Sequence, residues 1–316
     1  MELKNIKLIY IPIFCLLVTT LSGCYDVLSN DEITTDEHTP RLVVDGMITT
    51  EPGPYYVQLS LTSKTSQLYA GGYTPVTDAT ITISDDEGNV DVLTPFAEQY
   101  PVIDGKGSPG STWGEVGYYQ TTTNMRGTPG KTYTLTVVYN GETYEATTTM
   151  PSSVPELELR HEDRYELPFI YFDEPQREQN YYMFYYRSFE DGRPRRGNYL
   201  VHETIPSNLW STFSHKTILY NDINLPAKVE RLDIYEGANY QVYADTTLFD
   251  PDSAMVEMHT VKQEVYDLFK AIEQQKKNDG GTFYGIPSNL PGNLSNGALG
   301  FFRASAISRK TIPFTR

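Results

Sequence analysis

Thr132-Tyr133-Thr134-Leu135-Thr136-Val137-Val138-Tyr139-Asn140-Gly141-Glu142-Thr143-Tyr144-Glu145-Ala146-Thr147-Thr148-Thr149 is a β-hairpin written out in sequence. Tyr133, Leu135 and Val137 alternate with polar residues, the period of a strand that buries one face. Asn140-Gly141 supplies the two left-handed positions that a tight hairpin turn needs. Upstream the same signal recurs at Val57, Leu59 and Leu61, and at Ile81 and Ile83. Asp85-Asp86-Glu87-Gly88-Asn89 provides turn chemistry between strands. The spacing predicts about seven strands, at 41–48, 54–63, 79–84, 90–95, 118–123, 132–139 and 142–150. Strands with one apolar face must bury it against a second layer, so residues 41–151 read as an immunoglobulin-like or transthyretin-like β-sandwich. One long insertion, Glu98 to Gly117, is rich in Gly, Ser and Pro and carries Trp113. Loops of that length often carry function.

Met150-Pro151 and Ser152-Ser153-Val154-Pro155 read as a joint, because proline stops strand pairing and stiffens a link. Residues 152–316 then form a second, β-rich domain. Tyr181 to Phe189 is apolar on both faces, as a central strand would be. Further strands are expected at 157–165, 198–203, 227–236, 240–247 and 298–307. One α-helix is expected near 261–277, where Val261, Val265, Leu268, Phe269 and Ile272 share a face. Thr260 with Gln263 has capping-box spacing, Lys276 and Lys277 suit the negative helix end, and Asn278-Asp279-Gly280-Gly281 stops it. The whole chain is mainly β.

The first residues are of another kind. Lys4 and Lys7, an apolar run from Leu8 to Val18, and Leu21-Ser22-Gly23-Cys24 resemble a secretory leader ending in the lipobox of bacterial lipoproteins. That resemblance implies that residues 1–23 are a signal peptide, removed when the Cys24 thiol is acylated with fatty chains such as palmitate. A transmembrane helix is the alternative, but the run is short of the roughly 20 residues needed and Pro12 breaks it. Residues 24–40 are polar and acidic and read as a flexible tether. No later segment approaches eighteen consecutive apolar residues. With Cys15 removed and Cys24 acylated, neither of the two cysteines is left for a disulfide, a zinc cage or a nucleophile.

The net charge of −16 becomes −17 once Glu2, Lys4 and Lys7 leave with the leader. Nucleic acid and anionic lipid surfaces need Lys and Arg patches, so neither is expected as a ligand. The acidity serves solubility, with attraction of cations or cationic peptides as the second reading.

Gly105-Lys106-Gly107-Ser108-Pro109-Gly110 has dinucleotide-loop spacing, but Pro109 and the missing strand and helix make it a loop. Asp85 to Asn89 offers carboxylates to calcium without the ligand spacing of a calcium loop, so an acidic turn is expected and no metal. His161-Glu162-Asp163 and His202-Glu203 offer acid–base neighbours, yet neither belongs to a zinc-protease motif. Carboxylates paired for glycoside hydrolysis would meet only in space. No catalytic residue and no cofactor is expected. Aromatic faces suit sugar rings and peptides, and among the 25 tyrosines and two tryptophans the best candidates lie on loops: Tyr69, Tyr73, Tyr100, Trp113 and Trp210. Arg193, Arg195 and Arg196 form a basic knot, with Pro194, expected at a hairpin tip. They could dock on an acidic partner or a lipid phosphate. Asp252-Ser253-Ala254 and Asp245-Thr246-Thr247 are similar to bacterial O-glycosylation acceptors.

The chain also resembles a family, the Bacteroidota lipoproteins known as domain of unknown function 4249. The residues that carry this are Leu42-Val43-Val44-Asp45-Gly46, Pro75-Val76-Thr77-Asp78-Ala79-Thr80-Ile81 and Gly117-Tyr118-Tyr119. Gly130-Lys131-Thr132-Tyr133-Thr134-Leu135, Met150-Pro151 and Asn293-Leu294-Ser295-Asn296-Gly297-Ala298-Leu299-Gly300-Phe301-Phe302 complete it. The resemblance implies an outer-membrane lipoprotein at the cell surface, lipid-anchored and encoded beside a TonB-dependent β-barrel receptor. It implies a non-enzymatic accessory to transport that captures a nutrient such as an oligosaccharide or peptide. A structural or adhesive surface module and a polymer-trimming hydrolase are the alternatives.

A Cys24→Ser chain is expected to leave the membrane pellet after a salt wash. Fractionation of cells reads this directly, and normal maturation with retention in the pellet would overturn the anchor.

Overall fold

The computed structural model describes residues 39–62, 74–98, 112–161, 168–176, 178–190, 193–196, 199–200, 218–232, 252–277 and 290–314. The first half holds β1 (Leu42–Thr49), β2 (Tyr56–Leu61), β3 (Thr74–Pro75), β4 (Thr80–Asp85), β5 (Val90–Val92), β6 (Thr94–Pro95), β7 (Tyr118–Gln120), β8 (Thr132–Tyr139) and β9 (Glu142–Thr149). The second half holds β10 (Glu158–Arg160), β11 (Phe169–Asp173), β12 (Tyr181–Glu190), β13 (Arg193–Arg196), β14 (Tyr199–Leu200), β15 (Ile218–Asn221), β16 (Lys228–Leu232) and β17 (Ser253–Val261). The helix α1 (Gln263–Lys277) and the long strand β18 (Leu299–Pro313) follow. The fold is mainly β with one α-helix among the described residues.

The opening hairpin forms as its alternation requires. Tyr133, Leu135 and Val137 of β8 are buried, and the residues between them are at least partly exposed. Asn140 and Gly141 both have positive φ, at 50° and 79°. The sheet β5-β4-β8-β9 turns Ile81, Ile83, Leu135, Val137 and Ala146 onto the same core as Val44, Ile48, Val57 and Leu59 of β1 and β2. Two sheets thus enclose one apolar layer.

The expected strand 90–95 is instead two strands in two sheets. β5 pairs with β4, and β6 pairs with β7 in the other layer. Asp91 fixes the crossing point. Its carboxylate, 0 % exposed, accepts bonds from the backbone N–H and the hydroxyl of both Thr122 and Thr123. Burial alone would raise its pKa, but these four bonds outweigh it and hold the group below the usual carboxylate range.

Pro40–Arg316 form one compact unit, and the joint at Met150-Pro151 lies within it. An 11-stranded sheet runs through both halves, with β14-β13-β12-β17-β18-β1-β2-β7-β6 along its path. What changes near the joint is the core. Leu157, Leu159, Ile170, Phe172 and Val229, on or beside the sheet β10-β11-β16, pack on Tyr182, Phe184, Val256 and Met258. The alternate residues Tyr181, Met183 and Tyr185 pack with Val265 and Leu268 of α1. β12 is therefore covered on both faces, as its continuous apolar run implied.

Three expectations fail here for identifiable reasons. β17 was not foreseen, since Ala254 to Val261 is buried on both faces and holds Glu257 and His259, so no alternation marks it. The same strand runs through Thr260, which cancels the expected helix cap; α1 begins at Gln263. The strand read at 157–165 is confined to Glu158–Arg160 among the described residues.

β18 joins the halves. It lies parallel to β1, with Val44 beside Gly300, and antiparallel to β17, with Glu257 beside Arg309. At Gly300, φ is +95°, and a Cβ there would sit 1.9 Å from the Val44 carbonyl oxygen. Gly300→Ala is therefore expected to cost about 3 kcal/mol or more, combining left-handed strain with a backbone clash. Urea unfolding of the variant checks it, and an unshifted midpoint would contradict the reading.

Candidate functional site

At one end of the large sheet, the short strands β3 and β6 border an open depression of about 560 Å3. Pro75, Thr77, Pro95, Ala97, Thr112 and Glu115 line it, together with the buried Phe96 and Gly114. The two prolines lack the N–H that would recruit another strand, so both short strands are poor templates for further pairing. The volume falls in the range of small-molecule sites.

The wall at 112–117 is built by a reciprocal cap. The Glu115 N–H donates to Thr112 Oγ1 at 3.3 Å, and the Thr112 N–H donates to Glu115 Oε2 at 2.5 Å. This is a capping box around a single 3₁₀ turn, Gly114–Val116. The turn can pack closely because glycine occupies two tight positions. A Cβ on Gly114 would lie 3.0 Å from Pro95, and one on Gly117 would lie 2.3 Å from the Leu59 carbonyl oxygen.

Trp113 is turned inward by this device. Expected as a solvent-facing loop aromatic, it is 0 % exposed, stacked on Phe96 at 5.9 Å and edge-on to Tyr118 at 4.9 Å. Tyr56 completes the cluster at 4.8 Å from Phe96. Burial, with the Glu98 charge second, pushes the Tyr56 hydroxyl up to about 12. Trp113 therefore supports the depression from within and offers no face to a ligand.

Tyr69 and Tyr73 belong to 63–73, and Tyr100 to 99–111; all three lie outside the described residues, as do Trp210 and Cys24. Thr74 pairs with Leu61, and the Trp113 N–H donates to the Glu98 carbonyl at 2.9 Å. Arg193, Arg195 and Arg196 belong to β13. Arg193 sits opposite Glu190, the last residue of β12, and Arg195 opposite Ser188.

Two buried polar groups carry no sequence motif. Glu257 accepts from Arg309 through Nε at 2.8 Å and Nη2 at 2.6 Å, and meets His259 Nε2 at 2.7 Å. Arg309 also reaches Glu51 at 3.4 Å, and Arg303 pairs with Asp45 at 2.7 Å while lying over the Phe269 ring. These contacts lock β1, β17, β18 and α1 together. The second group centres on Glu174, which accepts from Tyr182 Oη at 2.7 Å and Asn180 Nδ2 at 3.0 Å. Burial first, then the Asp222 charge, raises the Glu174 pKa against those two bonds; burial and Glu174 likewise push the Tyr182 hydroxyl up.

Asp85 is committed to its own turn. It accepts from the Glu87 and Asn89 N–H groups at 3.1 and 2.9 Å, while Lys131 pairs with Glu87 at 2.6 Å. Among the described residues no group of three or more His, Cys, Asp or Glu could hold a metal ion. Ser253 Oγ donates to Asp252 at 2.7 Å. The His161 ring lies against Phe314 at 5.2 Å, and its neighbours Glu162 and Asp163 are outside the described residues, as are His202, Asp245 and the 105–110 loop.

The family described as Domain of unknown function (DUF4249) matches residues 30–311, and the chain belongs to it. Among solved structures, a DUF4785 family protein from Legionella pneumophila is similar at 9 % identity and a TM-score of 0.22. That likeness covers 69 % of this chain and 51 % of the other, so the chain spans about half that protein's length. No curated protein matches. Among the described residues no helix is long and apolar enough to cross a membrane.

The raised Glu174 pKa has a definite sign. Its folded-state preference for the proton adds stability below the unfolded value of about 4.5, and this is lost as pH rises through the folded value. Glu174→Gln is expected to flatten that fall in urea midpoints measured from pH 4 upward. An unchanged profile would contradict the assignment.

Proposed function

We propose that this protein is a lipid-anchored outer-membrane lipoprotein of the Bacteroidota type. In this reading it faces the cell surface and serves as a non-enzymatic accessory to a TonB-dependent β-barrel transporter. The Cys24 lipobox supports the anchor. The depression beside β3 and β6 carries the binding part of the reading. Its walls are Pro75, Pro95 and Ala97, with the hydroxyls of Thr77 and Thr112 and the Glu115 carboxylate at hand. Apolar walls with a few placed polar groups hold a ligand by contact and orientation. An oligosaccharide ring or an extended peptide fits that description. Tyr69, Tyr73 and Tyr100, outside the described residues, remain the aromatic candidates for ligand contact. Arg193, Arg195 and Arg196 remain the candidates for docking on an acidic partner.

Two measurements test this. A tagged full-length chain is expected to co-purify a β-barrel receptor from outer membranes; recovery without one would remove the transporter role. Titration calorimetry against neutral oligosaccharides and short peptides is expected to find a ligand whose affinity falls about tenfold or more in Ala97→Arg, which fills the depression. A tenfold loss corresponds to about 1.4 kcal/mol. Unchanged affinity in that variant would rule the depression out.

A further inference from the structure

The depression beside β3 and β6 has one ionisable group in its described lining, the Glu115 carboxylate, and no Lys, Arg or His. The capped turn fixes where that group stands, because Glu115 Oε2 accepts from the Thr112 N–H at 2.5 Å. Its second oxygen, Oε1, has no partner among the described residues and is left for a ligand. Pro75 and Pro95 bring no N–H donor to the lining. The charged end of a ligand therefore meets an acceptor with a fixed position.

The apolar part of the lining is aliphatic where it meets solvent. Pro75, Pro95 and Ala97 present short alkyl faces, with Phe96 buried among them. The aromatic rings at this end of the sheet, Tyr56, Phe96, Trp113 and Tyr118, are all buried and packed on one another. None of the four offers the exposed flat face on which a sugar ring stacks. Alkyl walls beside a carboxylate match another shape, the apolar stem and charged head of a lysine or arginine side chain.

We infer that the depression takes a peptide segment presenting a lysine or arginine side chain. This rests on the binding role proposed for the depression and narrows its ligand from sugar or peptide to basic peptide. The stem lies along Pro75, Pro95 and Ala97, and the cationic head donates to Glu115 Oε1. The surrounding charge favours the same ligand. Asp78 follows Thr77 and Glu98 follows Ala97, both exposed, in a chain of net charge −16. A basic peptide is drawn toward such a surface, and an acidic one is turned away. Glu115 is itself exposed, so water and salt screen the pair and the preference it gives is modest, about fivefold. Contact with the alkyl walls supplies the rest of the affinity, and the carboxylate supplies the selectivity.

Titration calorimetry on the full-length chain in mild detergent tests this. The probes are the blocked pentapeptide Ala-Ala-Lys-Ala-Ala, its norleucine and glutamate counterparts, and a glucosamine tetramer as the cationic sugar. The lysine peptide is expected to bind about fivefold more tightly than the norleucine peptide, with the glutamate peptide weakest. That gap is expected to narrow as salt is raised. Glu115→Gln keeps an acceptor for the Thr112 N–H, since glutamine also closes a capping box, so the wall stays in place. In that variant the lysine and norleucine peptides are expected to bind equally. Glu156→Gln, the same charge change at an exposed residue ahead of β10, is expected to leave the preference intact. The inference is overturned if the wild type fails to bind the lysine peptide, binds the norleucine peptide as well, or binds the glucosamine tetramer more tightly. It is equally overturned if the preference survives Glu115→Gln or is lost to the same degree in Glu156→Gln. The binding role of the depression fails by a separate sign, an Ala97→Arg chain whose affinity for every bound probe is unchanged.

Discussion

Backbone pairing of β18 with β1 on one side and β17 on the other is the constraint on which the remaining architecture depends. The strand is fifteen residues long and serves three cores at once. Phe302, Ala304 and Ala306 fill the layer under the sheet β5-β4-β8-β9, Ile312 reaches the layer beneath β10 and β11, and Phe301 points to α1. A single strand can do this because successive side chains leave opposite faces of a sheet. The arrangement also pairs β1 with a strand far along the sequence, Val43 with Leu299, a contact with high loop-closure cost.

Polar locks reinforce that strand. Arg303 with Asp45, and Arg309 with Glu257, reach from β18 to its two neighbours. Buried charge is costly unless geometry is good. Here Glu257 takes two bonds from one guanidinium and a third contact from His259. Such a network rewards one register over its slips, since a shift by one residue would turn each charge into the opposite layer. It secures position more than it adds net stability.

The depression sits where this ordered frame ends. Its borders are two-residue strands closed by proline, and its wall is a capped turn resting on Trp113 and Phe96. Rigid aromatic support beneath short segments is a common way to hold a binding surface in place.

Local pattern was enough for the hairpin at 132–149, most of the strands before Met150, the double-sided β12 and the body of α1. Each of these announces itself through neighbours in sequence, by alternation or helical spacing. β17 did not, because burial on both faces erases the period, and its Glu257 and His259 look like surface residues until Arg309 is beside them. The splitting of 90–95 between sheets depended on Thr122 and Thr123 reaching Asp91, and the inward turn of Trp113 on two glycines meeting distant backbone. Of the candidate site residues, Trp113 moved into the core and the arginines into a strand. By itself, then, the sequence determined a mainly β chain with an amphipathic helix, since both follow from near neighbours. Which strands share a sheet, where the halves join and which aromatics face solvent were decided by tertiary structure alone, because they rest on contacts between residues that only folding brings together.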